Sequence, residues 1–310
     1  MITMQIIRDI TEYDKRPCAA TIGSFDGVHR GHVAMLGELR AAAVQRGLPL
    51  MVVTFATHPR RFFDKESAPF QLTPANDKLQ LLEAAGVDIC VLLDFSHGMA
   101  AMSAVAFMKE ILVERLGVQL LAVGYDHHFG KPTTGEGLEQ YIAYGCESGV
   151  EVFGTQPFVI NDVAVSSSAV RRALSGGDVA LASSLLGRDY SLAGTVVHGA
   201  GIGRVLGFPT ANIALACEEQ MLPLDGVYET DVTIAGETFK GVMNIGVKPT
   251  LQGVDVRTLE VHILEFEGDV YRQAIEVSFV RRLRDEVSFD SIDALRLQIG
   301  VDVARVKRGI

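Results

Sequence analysis

Hydrophobic positions change their period partway along the chain. Between residues 18 and 154, short continuous apolar runs read as strands: 18–23, LMVVTF (50–55), ICVLL (89–93), LLAVG (120–124) and VEVFG (150–154). The stretches between them repeat at helical spacing. Val33, Leu36, Leu39 and Ala43 share one face, as do Leu79, Leu82 and Ala85, and then Ala104, Phe107, Ile111 and Leu112; 136–148 carries a weaker fourth stripe. Unbroken apolar strands separated by amphipathic helices predict a parallel sheet covered on both faces. The first half is therefore expected to be an open α/β parallel sheet, with ligands beyond the strands' carboxyl ends.

Near LLGRDYSLAG (185–194) the pattern becomes nearly all strand. Runs at 192–198, 227–234, 238–245, 258–264 and 270–280 are rich in β-branched and aromatic residues, with breaks at Gly236, Gly253 and Gly268. Short strands at this spacing predict a small antiparallel β-barrel. Ile292, Leu295, Ile299, Val303 and Val306 then recur at helical spacing and predict a C-terminal helix packed on the barrel. Two domains follow, 1–186 and 187–310, which suits a chain of 310 residues.

Composition narrows the function. A net charge of −10 argues against a nucleic-acid partner. The four cysteines (Cys18, Cys90, Cys146, Cys217) form no CxxC pair, so neither a zinc site nor a disulfide framework is expected. Reduced, buried thiols in a cytoplasmic protein are the expectation. MITMQIIRDI does not read as a signal peptide, and no apolar run is long enough to span a membrane.

The stretch that carries chemistry first is GSFDGVHRGH (23–32), between the first strand and a helical stripe that begins at Val33. Gly23, Gly27 and Gly31 permit a tight turn and a close backbone approach, with Phe25 and Asp26 inside it. A helix N-terminus offers free N–H groups and a positive dipole end, which together favour phosphate. His29 and His32, three apart, can face the same anion. Other strand ends carry TFATHPRRFF (54–63) and GYDHHFGKPTTGEG (124–137). In VSSSAVRRAL (165–174), Ser167 or Ser168 could cap a helix, with Arg171 one turn in to reach a phosphate.

In the second half, GAGIGRVLGFPTANI (199–213) provides a glycine-rich loop able to wrap phosphates, with Gly201, Gly203 and Arg204 as its nucleotide-binding residues. Pro209 stiffens a turn before Thr210 and Asn212, whose hydroxyl and amide oxygens are hard ligands suited to Mg²⁺. In TLEVHIL (258–264), strand alternation puts Glu260 and His262 on the face opposite Leu259, Val261 and Ile263.

GSFDGVHRGH, VGYDHHFG and VSSSAVR, in that order, resemble the adenylyltransferase module of bacterial bifunctional riboflavin kinase/FAD synthetases, within the wider HxGH nucleotidyltransferase superfamily, which is Rossmann-like. GFPTAN resembles the riboflavin kinase signature, so the resemblance runs from about residue 5 to 305. It implies ATP, riboflavin and FMN as substrates, Mg²⁺ as cofactor, and FMN then FAD as products. It makes Glu260 the general base for riboflavin's 5′-hydroxyl and leaves His262 a structural neighbour. It places His29 and His32 at the α-phosphate, Ser167, Ser168 and Arg171 at the β/γ end, and Asp126 where the family has a polar residue contacting substrates. Departures are Asp126-His127-His128-Phe129-Gly130 for an aromatic-rich turn, Tyr271-Arg272 for Tyr-Gly, Ile202 for a basic residue, and SSS for SST. A sugar- or lipid-phosphate cytidylyltransferase would explain residues 1–185 but leave GFPTAN and Glu260 without purpose. A flavin-binding or regulatory paralogue that has lost an activity is the alternative those departures motivate; it would hold flavin without releasing ADP or pyrophosphate.

Overall fold

The structure, a computed structural model, describes residues 3–64, 70–125, 129–130, 137–199, 201–249 and 255–309. The chain forms two compact units, 1–167 and 168–310.

The first unit runs β1 (Gln5–Ile7), β2 (Cys18–Ile22), α1 (Arg30–Gln45), β3 (Leu50–Phe55), α2 (Pro59–Phe63), α3 (Ala75–Ala84), β4 (Ile89–Leu93), α4 (His97–Ala101), α5 (Ala104–Ala106), β5 (Val118–Val123), α6 (Leu138–Ser148) and β6 (Glu151–Gly154). A π-helical stretch, Phe107–Arg115, continues α5. A two-stranded hairpin, β7 (Val159–Ile160) and β8 (Val163–Ala164), follows. The six-stranded sheet is parallel in the order β1-β4-β3-β2-β5-β6.

Its strands are apolar without interruption because each face has its own cover. Ala20, Ile22, Met51, Val53, Val91 and Leu121 point to one layer with Phe107, Met108, Leu112 and Tyr141. Their sequence neighbours Ala19, Leu50, Val52, Cys90, Leu120 and Ala122 point to the other, with Leu36, Leu39, Leu79 and Leu82. From β2 the chain steps outward to β3 and β4, then returns to place β5 on the other side of β2. That reversal opens a crevice at the carboxyl ends of β2 and β5. GSFDGVHRGH begins there.

The division falls after the first residue of α7 (Ser167–Ser175), and the second unit continues through the rest of that helix and α8 (Val179–Leu186). Sequence pattern puts the domain division at 186/187, whereas the compact units divide at the start of α7. The physical reason is that α8 packs on β14 and β9, and the Leu224 N–H donates to the Leu174 carbonyl at 2.9 Å. The barrel consists of β9 (Tyr190–Val197), β10 (Ala211–Leu215), β11 (Gly226–Ile234), β12 (Glu237–Pro249), β13 (Asp255–Ile263) and β14 (Ala274–Arg284), with α9 (Ile202–Val205) after β9. It closes in the order β10-β13-β12-β11-β14-β9, each pairing antiparallel. Alternate residues fill it, among them Leu192, Val196, Tyr228, Val232, Met243, Ile245, Val261, Val277 and Phe279.

The last helix is α10 (Ile292–Arg308), where the sequence pattern places it. Ser291 caps it by accepting from the Ala294 N–H. Val306 packs with Val227, Val242 and Leu264, and Asp302, 1% exposed, pairs with Arg284 at 2.9 Å. Of the cysteines, Cys18 and Cys90 are buried, and burial pushes their thiols up to about 12 and about 11. Cys146 is exposed and Cys217 half-buried, which corrects the expectation that all four are interior. These two lie on α6 and past β10, outside the core layers.

Candidate active sites

The turn after β2 is strained. Phe25 and Val28 take φ of +49° and +38°, and Gly27 takes +88°. Only the glycine adopts this region cheaply, and a β-branched residue least of all. Both strained side chains are buried, at 1% and 2% exposure, so packing holds the backbone there. The helix begins at Arg30 rather than Val33, because His29 acts as its N-cap. The His29 Nδ1 accepts the His32 N–H at 3.2 Å. An accepting Nδ1 puts the imidazole proton on Nε2, which makes that edge a donor. The two histidine rings stack at 3.6 Å and 13°, and Phe25 lies 4.8 Å from His32. Gly31 is required between them: a Cβ would come to 3.0 Å from the Val165 carbonyl oxygen and 3.2 Å from His29 Nδ1. No acidic residue occupies the first turn of α1, which leaves its positive end for an anion.

Several groups clamp this turn. The Gly23 N–H donates to the Val53 carbonyl at 3.0 Å. Asp26 is buried, and its carboxylate accepts the Leu72 N–H at 2.9 Å and the Thr73 N–H at 3.2 Å. Ser167 donates to the Asp26 carbonyl at 2.7 Å. Ser167 and Ser168 lie inside α7 instead of capping it, because the helix already starts at Ser167, two residues earlier than a Ser168 cap requires, and the Ser167 hydroxyl is turned to Asp26. Ser168 is exposed and Arg171 half-buried, both on α7 of the second unit. Asp126, with His127 and His128, lies outside the described residues.

Two features of this unit escape sequence reasoning. Lys78 on α3 is buried and donates to the Ser24 carbonyl. An aromatic group also gathers at the ends of β3 and β4: Phe55 and Phe62 meet the Phe95 ring edge-to-face at 5.4 and 5.3 Å, and Phe62 meets His97 at 4.6 Å. TFATHPRRFF announces that cluster only in part, since Phe95 and His97 come from a different strand end.

On the barrel, register does the positioning. Glu260 on β13 is paired with Asn212 on β10 and Asn244 on β12, so the three side chains share the outer face. The Thr210 hydroxyl points at Glu260 Oε2 from 3.4 Å. The His262 Nδ1 lies 2.8 Å from the Pro209 carbonyl, which can only accept, so His262 donates and pins the FPT turn. Gly201, at φ +71°, starts α9, and Gly203 faces Thr210 so closely that a Cβ would be 2.5 Å from the Phe208 carbonyl oxygen. Arg204 is exposed on α9. The Asn244 amide reaches Glu286 at 3.4 Å, which brings a second carboxylate to this face that the sequence reading missed. Near the site, His198 and Tyr271 stack at 3.9 Å. Arg272 takes φ +64°, so the turn keeps the left-handed conformation that suits the family's glycine.

An anion-receptive helix end at the switch point of a parallel sheet, followed by a barrel with converging hydroxyl, amide and carboxylate groups, defines a class: chains with two separate places for handling nucleotide phosphates. Comparison with known proteins narrows the class. The FAD synthetase family model matches residues 11–169 and the riboflavin kinase model residues 186–310. Bifunctional riboflavin kinase/FMN adenylyltransferase of Pseudomonas fluorescens is 42% identical over 306 residues, covering 98% of this chain and 97% of its own. The protein of that name from Escherichia coli K12 is 42% identical, covering 96% of each. That of Bacillus subtilis is 34% identical, covering 91% of this chain and 89% of its own. A crystal structure titled as a macrolide-efflux protein from Streptococcus pneumoniae superposes with a TM-score of 0.87 at 29% identity, covering 99% of each chain. Among the described residues, no helix is long and apolar enough to cross a membrane. The chain belongs to the bifunctional riboflavin kinase/FMN adenylyltransferase family.

Proposed function

We propose that this protein makes FAD from riboflavin by two successive ATP-dependent transfers. The observation that carries the reading is the matched pair of family domains, each with its own polar constellation. At the barrel, the riboflavin 5′-hydroxyl oxygen attacks the γ-phosphorus of ATP. The new O–P bond forms as the bond to the β,γ-bridging oxygen breaks, and ADP leaves. Glu260 takes the hydroxyl proton. Gly201, Gly203 and Arg204 line the phosphate path. Thr210, Asn212 and Glu260 present oxygen donors, a set that fits Mg²⁺. Thr210 and Asn212 would hold the ion, whose charge offsets that of the phosphates.

At the sheet, an FMN phosphate oxygen attacks the α-phosphorus of a second ATP, forming FAD and displacing pyrophosphate. In-line transfer asks the protein for position and charge rather than a covalent intermediate. His29 donates from Nε2 to the α-phosphate, with His32 stacked behind it. Ser167 and Asp26 set the turn. The Phe55–Phe62–Phe95 group offers an apolar, stacking surface for the flavin ring.

We place the functional division at 186/187, because α7 carries residues of the adenylyl-transfer motif. We place the enzyme in the cytoplasm, where ATP is supplied. A chromatographic time course with riboflavin and ATP·Mg²⁺ tests the reading: FMN should rise first and FAD follow. Retention of flavin with neither ADP nor pyrophosphate released would favour a binding paralogue instead.

A further inference from the structure

A strained turn persists only where its surroundings over-determine it. The least expected part of those surroundings is a buried cation. Lys78 is 7% exposed, yet its partners are neutral. Its ammonium donates to the Phe55 carbonyl at 3.0 Å, the Ser24 carbonyl at 3.2 Å and the Thr54 hydroxyl at 3.3 Å. Thr54 in turn donates to the same Ser24 carbonyl at 3.1 Å. Four hydrogen bonds thus converge on three acceptors at the ends of β2 and β3, one residue from the left-handed Phe25.

Among the described residues, no carboxylate forms an ion pair with Lys78. Asp26 acts on it through charge alone, and the Asp26 carboxylate bonds to the backbone at 72–73. Burial lowers the ammonium's pKa, and the Asp26 charge opposes that shift. An apolar side chain of equal length would fill this space without desolvating a charge. The site keeps the charge.

We propose that Lys78 is a positioning residue for adenylyl transfer: by holding the Ser24 carbonyl it fixes turn 23–28 in the conformation that presents His29 and the α1 N-terminus to the phosphates of ATP. The inference rests on the assignment of ATP's phosphates to this turn.

The test uses the full-length Lys78→Gln protein, with ATP and FMN varied separately in the adenylyl-transfer assay and riboflavin kinase activity measured in the same preparation. Loss of the brace should raise KM for ATP about tenfold or more while KM for FMN stays within about twofold and the kinase constants are unchanged. A purely structural lysine gives a different result: fewer active molecules, hence a lower kcat with both KM values at wild-type level. That result overturns the proposal. If Lys78→Gln does not fold, Thr54→Val removes the hydroxyl shared by Lys78 and Ser24 and should raise KM for ATP about threefold. An unchanged KM there overturns it as well. His29→Ala separates the two levels of the argument. Full adenylyl transfer with a normal KM for ATP in His29→Ala would remove the phosphate assignment itself; a defect there beside a normal Lys78→Gln would remove only the lysine's role.

Discussion

The two sites place their functional groups by opposite means. In the first unit the backbone carries the specificity: a turn with Phe25 and Val28 at positive φ is held by Asp26, Ser167, Thr54 and Lys78. On the barrel, ordinary strand register does the work, and Asn212, Glu260 and Asn244 lie side by side because three strands pair. Register is over-determined by many ladder bonds and tolerates local change. A strained turn depends on each of its few clamps. Perturbations should therefore act sharply on the first site and gradually on the second.

The largest expected effect probes the barrel's stability rather than its chemistry. Asp302→Ala leaves Arg284 without its buried partner and should cost about 3 kcal/mol, the lower end for a broken buried pair because Arg284 still reaches water. Urea unfolding should show the loss in the barrel transition alone. Next comes Gly31→Ala, whose methyl group must displace the His29 ring or the Val165 carbonyl. Misplacing a reacting contact by a fraction of an ångström to one ångström should slow adenylyl transfer about a hundredfold. Riboflavin phosphorylation should be untouched, and an equal loss in both steps would break the comparison.

Asp26→Ala strands two buried N–H groups at Leu72 and Thr73 and should destabilise the first unit by about 2 kcal/mol. Thermal unfolding in the presence and absence of ATP measures it. The smallest effect has the opposite sign. Arg272→Gly relieves a left-handed backbone at an exposed position and should stabilise the barrel by about 0.5–1 kcal/mol after glycine's entropy is counted. Unchanged kinase kinetics in that variant would show that the departure from Tyr-Gly is conformational only.

The contrast also explains what the sequence made legible. The sheet and barrel were readable because burial on two faces gives unbroken apolar runs, whereas a barrel wall gives alternation. The segment 5–7 was not, being three residues long with Ile6 exposed. Ala211–Leu215 hid inside GFPTANI, where the motif reads as loop although Ala211 and Ile213 point into the barrel. His29, His32, Thr210, Asn212 and Glu260 stand out as candidates in the sequence because their motifs are contiguous. Lys78 was missed because a helical lysine reads as solvated. The available signal was its place beside Leu79 and four residues before Leu82, on the buried stripe of α3. Glu286 was missed because strand pairing and a distant turn bring it to Asn244.

The central claim is that the two transfers depend on different residues, His29 for adenylyl transfer and Glu260 for riboflavin phosphorylation. The most direct measurement is a paired product time course on Glu260→Gln and His29→Ala, each supplied with riboflavin and, separately, with FMN. The account predicts that Glu260→Gln leaves riboflavin unconverted yet turns FMN into FAD at the wild-type rate, while His29→Ala converts riboflavin and stops at FMN. A folded variant that loses both steps, or Glu260→Gln that still phosphorylates riboflavin at full rate, would contradict it.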